Sequence, residues 1–353
     1  MPNIVHIGLG KTATTTLQLI AFPLLCKLKG FEYNNPVLKH FSLKRTLMDL
    51  SDAEQQAQRE LLARGNNFIS NEVLAGWDPA CWEAAAEENL HTFGRDTIIL
   101  ITFREAYSFI RSVYQQYVQG GNVVRPEYFF VDKETYSDCK RLRSEFKVDY
   151  YCTDYLNYED LVGFYTSRFA RVVCVDMKNI GKFDFLDGIV DLDDAEKRKL
   201  AVAFERAPRK NRSYSSGAMK LTFWREKFLN ALGLKTFGTS DWRYEKLLTG
   251  FGDWSDAPLP LQYKNLSRRD QILQFPKRTL KRITRWLGVS SWNSFMHQRL
   301  DRFIPYKEYE LPIDRLSINR ENLDKCNAFL ERLDAGTATG GAPETKPAPL
   351  RQN

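Results

Sequence analysis

The sequence predicts an α/β protein: a parallel β-sheet flanked by helices, followed by a mostly helical and irregular C-terminal extension. Three observations lead there. The chain opens on a short apolar run, Ile4 to Ile7, which passes through a glycine- and threonine-rich loop into an apolar helix. Residues Thr97 to Phe103 form an uninterrupted β-branched and apolar run, the mark of a strand buried on both faces. Strands of this kind alternate with helical stretches, an order that calls for right-handed crossovers and a parallel sheet.

In chain order, the first strand leads through Gly8-Leu9-Gly10-Lys11-Thr12-Ala13-Thr14-Thr15-Thr16 into a helix carrying Leu17, Leu19, Ile20, Phe22, Leu24 and Leu25. An amphipathic helix from about Ser51 to Arg64 precedes a short strand, Asn67 to Ser70, with Asn71-Glu72 starting the next helix. The Thr97 strand ends at Arg104, and a helix from about Tyr107 to Val118 is stopped by Gly120-Gly121. An aromatic-rich helix near Asp154 to Ser167 precedes a buried strand, Arg171 to Val175. A hydrophilic bridge, Arg206 to Ser213, leads to a helix from Gly217 to Leu232, and Phe237 to Tyr263 is rich in Gly, Pro and Trp and reads as irregular. From Gly336 the chain has too few apolar groups to fold. The expected organisation is one α/β domain over residues 1–235, an extension over 236–335 packed on it, and a disordered tail over 336–353.

At 353 residues, with 43% hydrophobic and 27% charged side chains, the chain has the composition of a soluble globular protein and length enough for a large core. No apolar window approaches the roughly eighteen residues a membrane helix needs, and with a strand-like run opening at Ile4 no cleavable leader is expected. Six cysteines are scattered without a Cys-x-x-Cys pair or a histidine at zinc-ligand spacing. These features predict a reduced, cytoplasmic protein without a metal. Eight basic residues against one acid between Lys264 and Arg285 carry a net +7, equal to that of the whole chain. The block is either a solvated face or a contact for an acidic glycan or membrane surface; no nucleic-acid partner is expected.

A loop that leaves a buried strand and opens a helix offers unpaired N–H groups and the positive end of a helix dipole to an anion. Here it also carries Lys11 and four threonines, and β-branched threonines suit a helix's first turns when their hydroxyls have something to bond. Gly10-Lys11-Thr12 matches the end of a Walker A motif, but the first glycine of that motif would fall at Val5, inside the strand. Gly8-x-Gly10-x-x-Ala13 satisfies the dinucleotide fingerprint formally, with Glu32 near the distance of a ribose contact, yet leaves Lys11 and the threonines unexplained.

The segment His6 to Gln18 resembles the 5′-phosphosulfate loop of the sulfotransferases that use 3′-phosphoadenosine 5′-phosphosulfate (PAPS), with Ala13 where that family commonly has glycine. The family's second motif, a strand ending in Arg with Ser eight residues later, is matched by Arg104 and Ser112. Softer matches are the Asp154 to Met177 helix and strand and a basic loop with Arg209, Lys210, Asn211, Arg212 and Ser213. The resemblance spans roughly residues 3–232. It implies a P-loop NTPase-like sulfotransferase fold and PAPS as donor. Gly10, Lys11, Thr12, Ala13, Thr14, Thr15 and Thr16 would hold its 5′ end, and Arg104, Ser112, Arg209, Asn211 and Ser213 its 3′-phosphate.

On this reading Lys11 stabilises the leaving oxygen during in-line sulfuryl transfer, and Glu72 is the candidate general base toward a hydroxyl or amine on a small-molecule, glycan or lipid acceptor. Glu72 reads equally as a first-turn carboxylate that complements its own helix dipole. His6, inside the first strand, reads as a core residue. The alternatives are a nucleotide kinase or other nucleotide-binding enzyme, and a noncatalytic polyanion-binding protein.

Overall fold

Among the described residues five strands form one sheet: β1 (Ile4–His6), β2 (Glu32–Tyr33), β3 (Asn67–Ser70), β4 (Ile98–Phe103) and β5 (Arg171–Asp176). Their order is β2-β3-β1-β4-β5, and every neighbouring pair is parallel. The computed structural model describes residues 2–35, 38, 51–119, 123–140, 150–207, 213–231 and 305–336. The stop expected at Gly120-Gly121, bridge residues 208–212, the stretch 237–263, the basic block and the chain beyond Gly336 lie outside them.

The principal helices flank this sheet. Helix α1 is continuous from Thr14–Thr16 through a π turn, Leu17–Ala21, into Phe22–Lys29. Pro23 follows the π turn, whose wider ladder relieves the ring's clash with the preceding turn and its missing N–H. The others are α2 (Asp52–Ala63), α3 (Trp82–Phe93), α4 (Ala106–Gln119), α5 (Tyr158–Thr166), α6 (Asp194–Glu205), α7 (Ser216–Ala231) and α8 (Arg320–Asp334). Reciprocal capping boxes start α2 (Ser51 with Glu54) and α6 (Asp193 with Glu196).

The two-residue period of a strand sends alternate side chains into two apolar layers. Val5, Ile7, Ile99, Ile101 and Phe103 pack with residues of α3, α4, α5 and α8, while Ile4, Ile98 and Leu100 pack with residues of α1 and α6. Each fully buried side chain of this size stabilises the fold by about 1.5–3 kcal/mol. Helix α8 buries Leu323, Cys326, Phe329 and Leu330, with the Phe329 ring centred 5.4 Å from that of Phe103. The extension thus contributes core to the sheet it follows.

Two expectations need correction. The helix expected from about Asp154 is a 3₁₀ turn, Thr153–Tyr155, separated from α5, because Asn157 stays extended and its side chain accepts from the Glu159 N–H as an N-cap. The helix expected to start at Asn71-Glu72 is a short 3₁₀ turn, Glu72–Ala75, and the next α-helix begins at Trp82; the edge strand β2 is an addition to the elements expected.

Open parallel sheets take their ligands where the strand order reverses. The chain leaves β1 toward β2 on one side and leaves β4 toward β5 on the other, so the β1–β4 border is a switch point whose carboxyl end opens a crevice. The Gly8 to Ala13 loop and Arg104 both emerge there.

Candidate functional site

Beyond β1 the ladder to β4 continues, with Ile7 N–H to Leu100 O at 3.0 Å and Leu9 N–H to Thr102 O at 3.2 Å. The loop then turns sharply. Gly8 has φ +24°, and a Cβ there would lie 2.6 Å from His6 Nε2; one on Gly10 would lie 2.2 Å from the Trp77 ring. Lys11 (φ 70°) and Ala13 (φ 59°) both adopt the left-handed conformation that ordinarily costs a non-glycine residue about 1 kcal/mol. Left-handed residues spaced this way turn successive N–H groups inward as an anion-binding nest. Among the described residues the N–H groups of Lys11, Ala13 and Thr14 meet no acceptor. Ala13 therefore occupies the conformation that glycine would take without strain.

Beneath the loop lies a buried polar network. Thr12 donates to Leu9 O at 2.6 Å and meets Thr102 Oγ1 at 2.5 Å. His6, wholly buried, bonds Ser70 Oγ through Nδ1 at 2.7 Å and Thr102 Oγ1 through Nε2 at 3.3 Å. The Thr12 hydroxyl is thus turned inward and braces the loop.

Burial pushes the His6 pKa down to about 3, so the ring is neutral. Because the folded value lies below that of the unfolded chain, this group's contribution is complete above pH 6.5 and is lost as pH falls from there toward 3. Stability should drop by about 1.4 kcal/mol per pH unit across this window from His6 alone. Denaturant melts between pH 7 and 4 test this: His6→Gln should flatten the slope by one proton's worth, and an unchanged slope contradicts it.

At the mouth of the loop, burial lowers the Lys11 ammonium to about 8, with Glu72 opposing the shift and Arg104 adding to it. Glu72 stands at the carboxyl end of β3, beside β1, and its carboxylate accepts from the Thr14 hydroxyl. The N-cap of its own 3₁₀ turn, Glu72–Ala75, is Asn71, whose side chain takes the Val73 N–H at 3.1 Å. The carboxylate therefore addresses the first turn of α1 and the Lys11 loop, rather than its own turn.

Arg104 closes the other side of the crevice. Its Nη1 donates to Lys11 O at 3.1 Å and to Ser112 Oγ at 2.8 Å, while Nε (3.2 Å) and Nη2 (2.8 Å) share Ser108 Oγ. Its own carbonyl accepts from Tyr158 OH at 2.7 Å. The corner is held by α8, where Asn327 Oδ1 accepts the Ala106 N–H at 2.8 Å. Burial, reinforced by Arg111, depresses the guanidinium pKa, with Glu308 and Glu105 opposing.

The structure thus brings Gly10, Lys11, Thr12, Ala13, Thr14, Glu72, Arg104 and Ser112 to one crevice. Thr15 and Thr16 follow in the half-buried first turn of α1, and Ser213 is half-buried just before α7; Arg209 and Asn211 lie outside the described residues. Ser108 and Arg111 were missed. Ser108 had a readable signal, since positions four and eight beyond Arg104 share one face of the helix that starts there. Glu32 sits at the start of the edge strand, accepting from Asn35 Nδ2 at 2.6 Å, with β3 between it and β1, which removes the ribose contact of the dinucleotide reading.

Among the described residues no group of three or more His, Cys, Asp or Glu side chains is gathered to hold a metal ion, and no helix is long and apolar enough to cross a membrane. No protein-family model, curated protein or solved structure significantly matches the chain.

Proposed function

We propose that the chain is a PAPS-dependent sulfotransferase of P-loop NTPase-like fold, moving a sulfuryl group to a hydroxyl or amine of its acceptor. The observation that carries this reading is the meeting of the Lys11 loop and the Arg104 guanidinium at the β1–β4 switch point, where Arg104 donates to the backbone of Lys11. An ammonium with a nest of N–H groups, and a guanidinium with two serine hydroxyls, suit a ligand carrying two anionic groups on one scaffold. A nucleotide with 5′-phosphosulfate and 3′-phosphate is such a ligand. The central position of β1 in a five-stranded parallel sheet fits the same fold.

In the proposed step the acceptor oxygen or nitrogen forms a bond to sulfur as the bond from sulfur to the bridging oxygen breaks, and 3′,5′-ADP leaves. Lys11 meets the charge that grows on that oxygen, and the N–H groups of Lys11, Ala13 and Thr14 hold the 5′-phosphate. Glu72 takes the acceptor's proton, with Thr14 fixing its orientation through their hydrogen bond. Arg104 and Ser112 fix the 3′ end, so remote binding energy is available to align the reacting groups.

The test is transfer from ³⁵S-labelled PAPS to a panel of glycans, lipids and phenols. Label on at least one acceptor, lost in Glu72→Gln while 3′,5′-ADP binding persists, is the expected outcome. No transfer, together with no thermal stabilisation by 3′,5′-ADP and clear stabilisation by ATP or NAD, overturns it.

A further inference from the structure

The Arg104 site has a cation that the sulfotransferase resemblance does not assign. A guanidinium has five N–H donors. Four hydrogen bonds already run from Arg104 to Ser108, Ser112 and Lys11 O, which leaves one N–H for a ligand unless the cluster rearranges. One further turn along α4, Arg111 brings its Nη2 to the same Ser108 hydroxyl, at 3.2 Å. Two guanidinium groups thus converge on one serine oxygen, an arrangement unfavourable without an anion beside it.

That anion is supplied from the far end of the chain. Glu308 Oε1 lies 2.5 Å from Arg111 Nη2. Its segment is tied to the start of α7 by the Ser215–Glu308 bridge and by the Ser216 N–H donating to Lys307 O at 2.8 Å. The Glu308 side chain is 55% exposed and that of Arg111 22%, so the carboxylate can swing into water while the guanidinium stays at the site. With one partner this exposed, the pair is weak enough for a dianion to displace.

We infer that Arg111 is the second cation of the Arg104 site, completing it for a phosphate monoester dianion, and that the Glu308 carboxylate occupies Arg111 until the phosphate replaces it. The inference rests on the sulfotransferase reading for the identity of the nucleotide. Glu308 then sets affinity by competition and couples the C-terminal segment to nucleotide binding, because ligand affinity is reduced by whatever fraction of the site its own carboxylate fills.

Calorimetric titration with 3′,5′-ADP and 5′-AMP separates this from a structural pin, since the ratio of the two affinities reports the 3′-phosphate alone. Glu308→Gln should tighten 3′,5′-ADP by about threefold or more, the gain from releasing a weak pair, and leave 5′-AMP unchanged. Arg111→Gln should weaken 3′,5′-ADP by about tenfold, with Arg111→Lys intermediate because it keeps charge without the fork. Thermal melts check that each variant is folded. If neither position changes the ratio while Arg104→Gln does, the pair only pins the segment: the inference falls and the sulfotransferase reading stands. If the wild-type chain binds neither nucleotide, that reading falls, and inorganic phosphate decides the site. Tightening in Glu308→Gln and loss in Arg111→Gln then keep the two-arginine anion site, and no change removes it.

Discussion

Lys11→Met is expected to slow transfer steeply while raising the melting temperature. The rate should fall by about a hundredfold or more, the order of loss when one donor facing a developing oxyanion is removed. Stability should move the other way. Burial lowers the ammonium from the ordinary lysine value of 10.5 to about 8, so at neutral pH the folded chain carries a charge it holds less readily than the unfolded chain does. An apolar side chain of similar length removes that penalty, a gain of order 1–3 kcal/mol.

The sign is testable against pH. The penalty is complete below pH 8 and disappears as pH rises to 10.5, so the wild-type chain should close the gap on the variant across that window. Over the same range the wild-type kcat/KM should decline as the ammonium deprotonates. A bound nucleotide dianion raises the lysine pKa, so kcat should decline at higher pH than kcat/KM does. Paired melting curves and rate profiles for the wild-type chain and Lys11→Met check both halves. A variant that loses activity and stability together would place Lys11 in the scaffold instead of the reaction.

Much of this fold was legible because its strands are continuous apolar runs, a signal that survives without neighbours. Thr97 to Phe103 and Arg171 to Val175 differ from β4 and β5 by a single residue each. β2 left no such trace: Glu32 and Tyr33 are held by one neighbour at the sheet's edge, and the strand exists only because Asn67 and Phe68 stand opposite. Lys11, Arg104 and Ser112 were legible as parts of spaced motifs, and the sheet order alone makes them neighbours.

What the sequence hid were partners distant along the chain. His6 meets Ser70 and Thr102, and Arg111 meets Glu308, through contacts that no local spacing encodes. The Thr12 hydroxyl shows the same limit. A threonine in a phosphate-type loop reads as a ligand group, whereas here Thr102 on the neighbouring strand captures it.

Arg104→Gln is the second large effect. Its guanidinium ties the crevice together by bonding the Lys11 carbonyl, Ser108 and Ser112 at once, and the amide of glutamine neither reaches these three nor carries the charge. Loss of a charge-assisted contact to phosphate should weaken 3′,5′-ADP by about 30- to 100-fold, equivalent to roughly 2–3 kcal/mol. 5′-AMP has nothing for Arg104 to hold beyond its indirect support of the loop, so its affinity should change by no more than about threefold.

Calorimetric titration of the wild-type chain and Arg104→Gln with 3′,5′-ADP, 3′-AMP and 5′-AMP is therefore the most direct test of one nucleotide held at both ends. The expected result is a single nucleotide per wild-type chain, 3′,5′-ADP far tighter than either monophosphate, with its advantage over 5′-AMP lost in the variant and its advantage over 3′-AMP kept. Equal affinity for all three nucleotides, or an advantage over 5′-AMP that survives without Arg104, would contradict it.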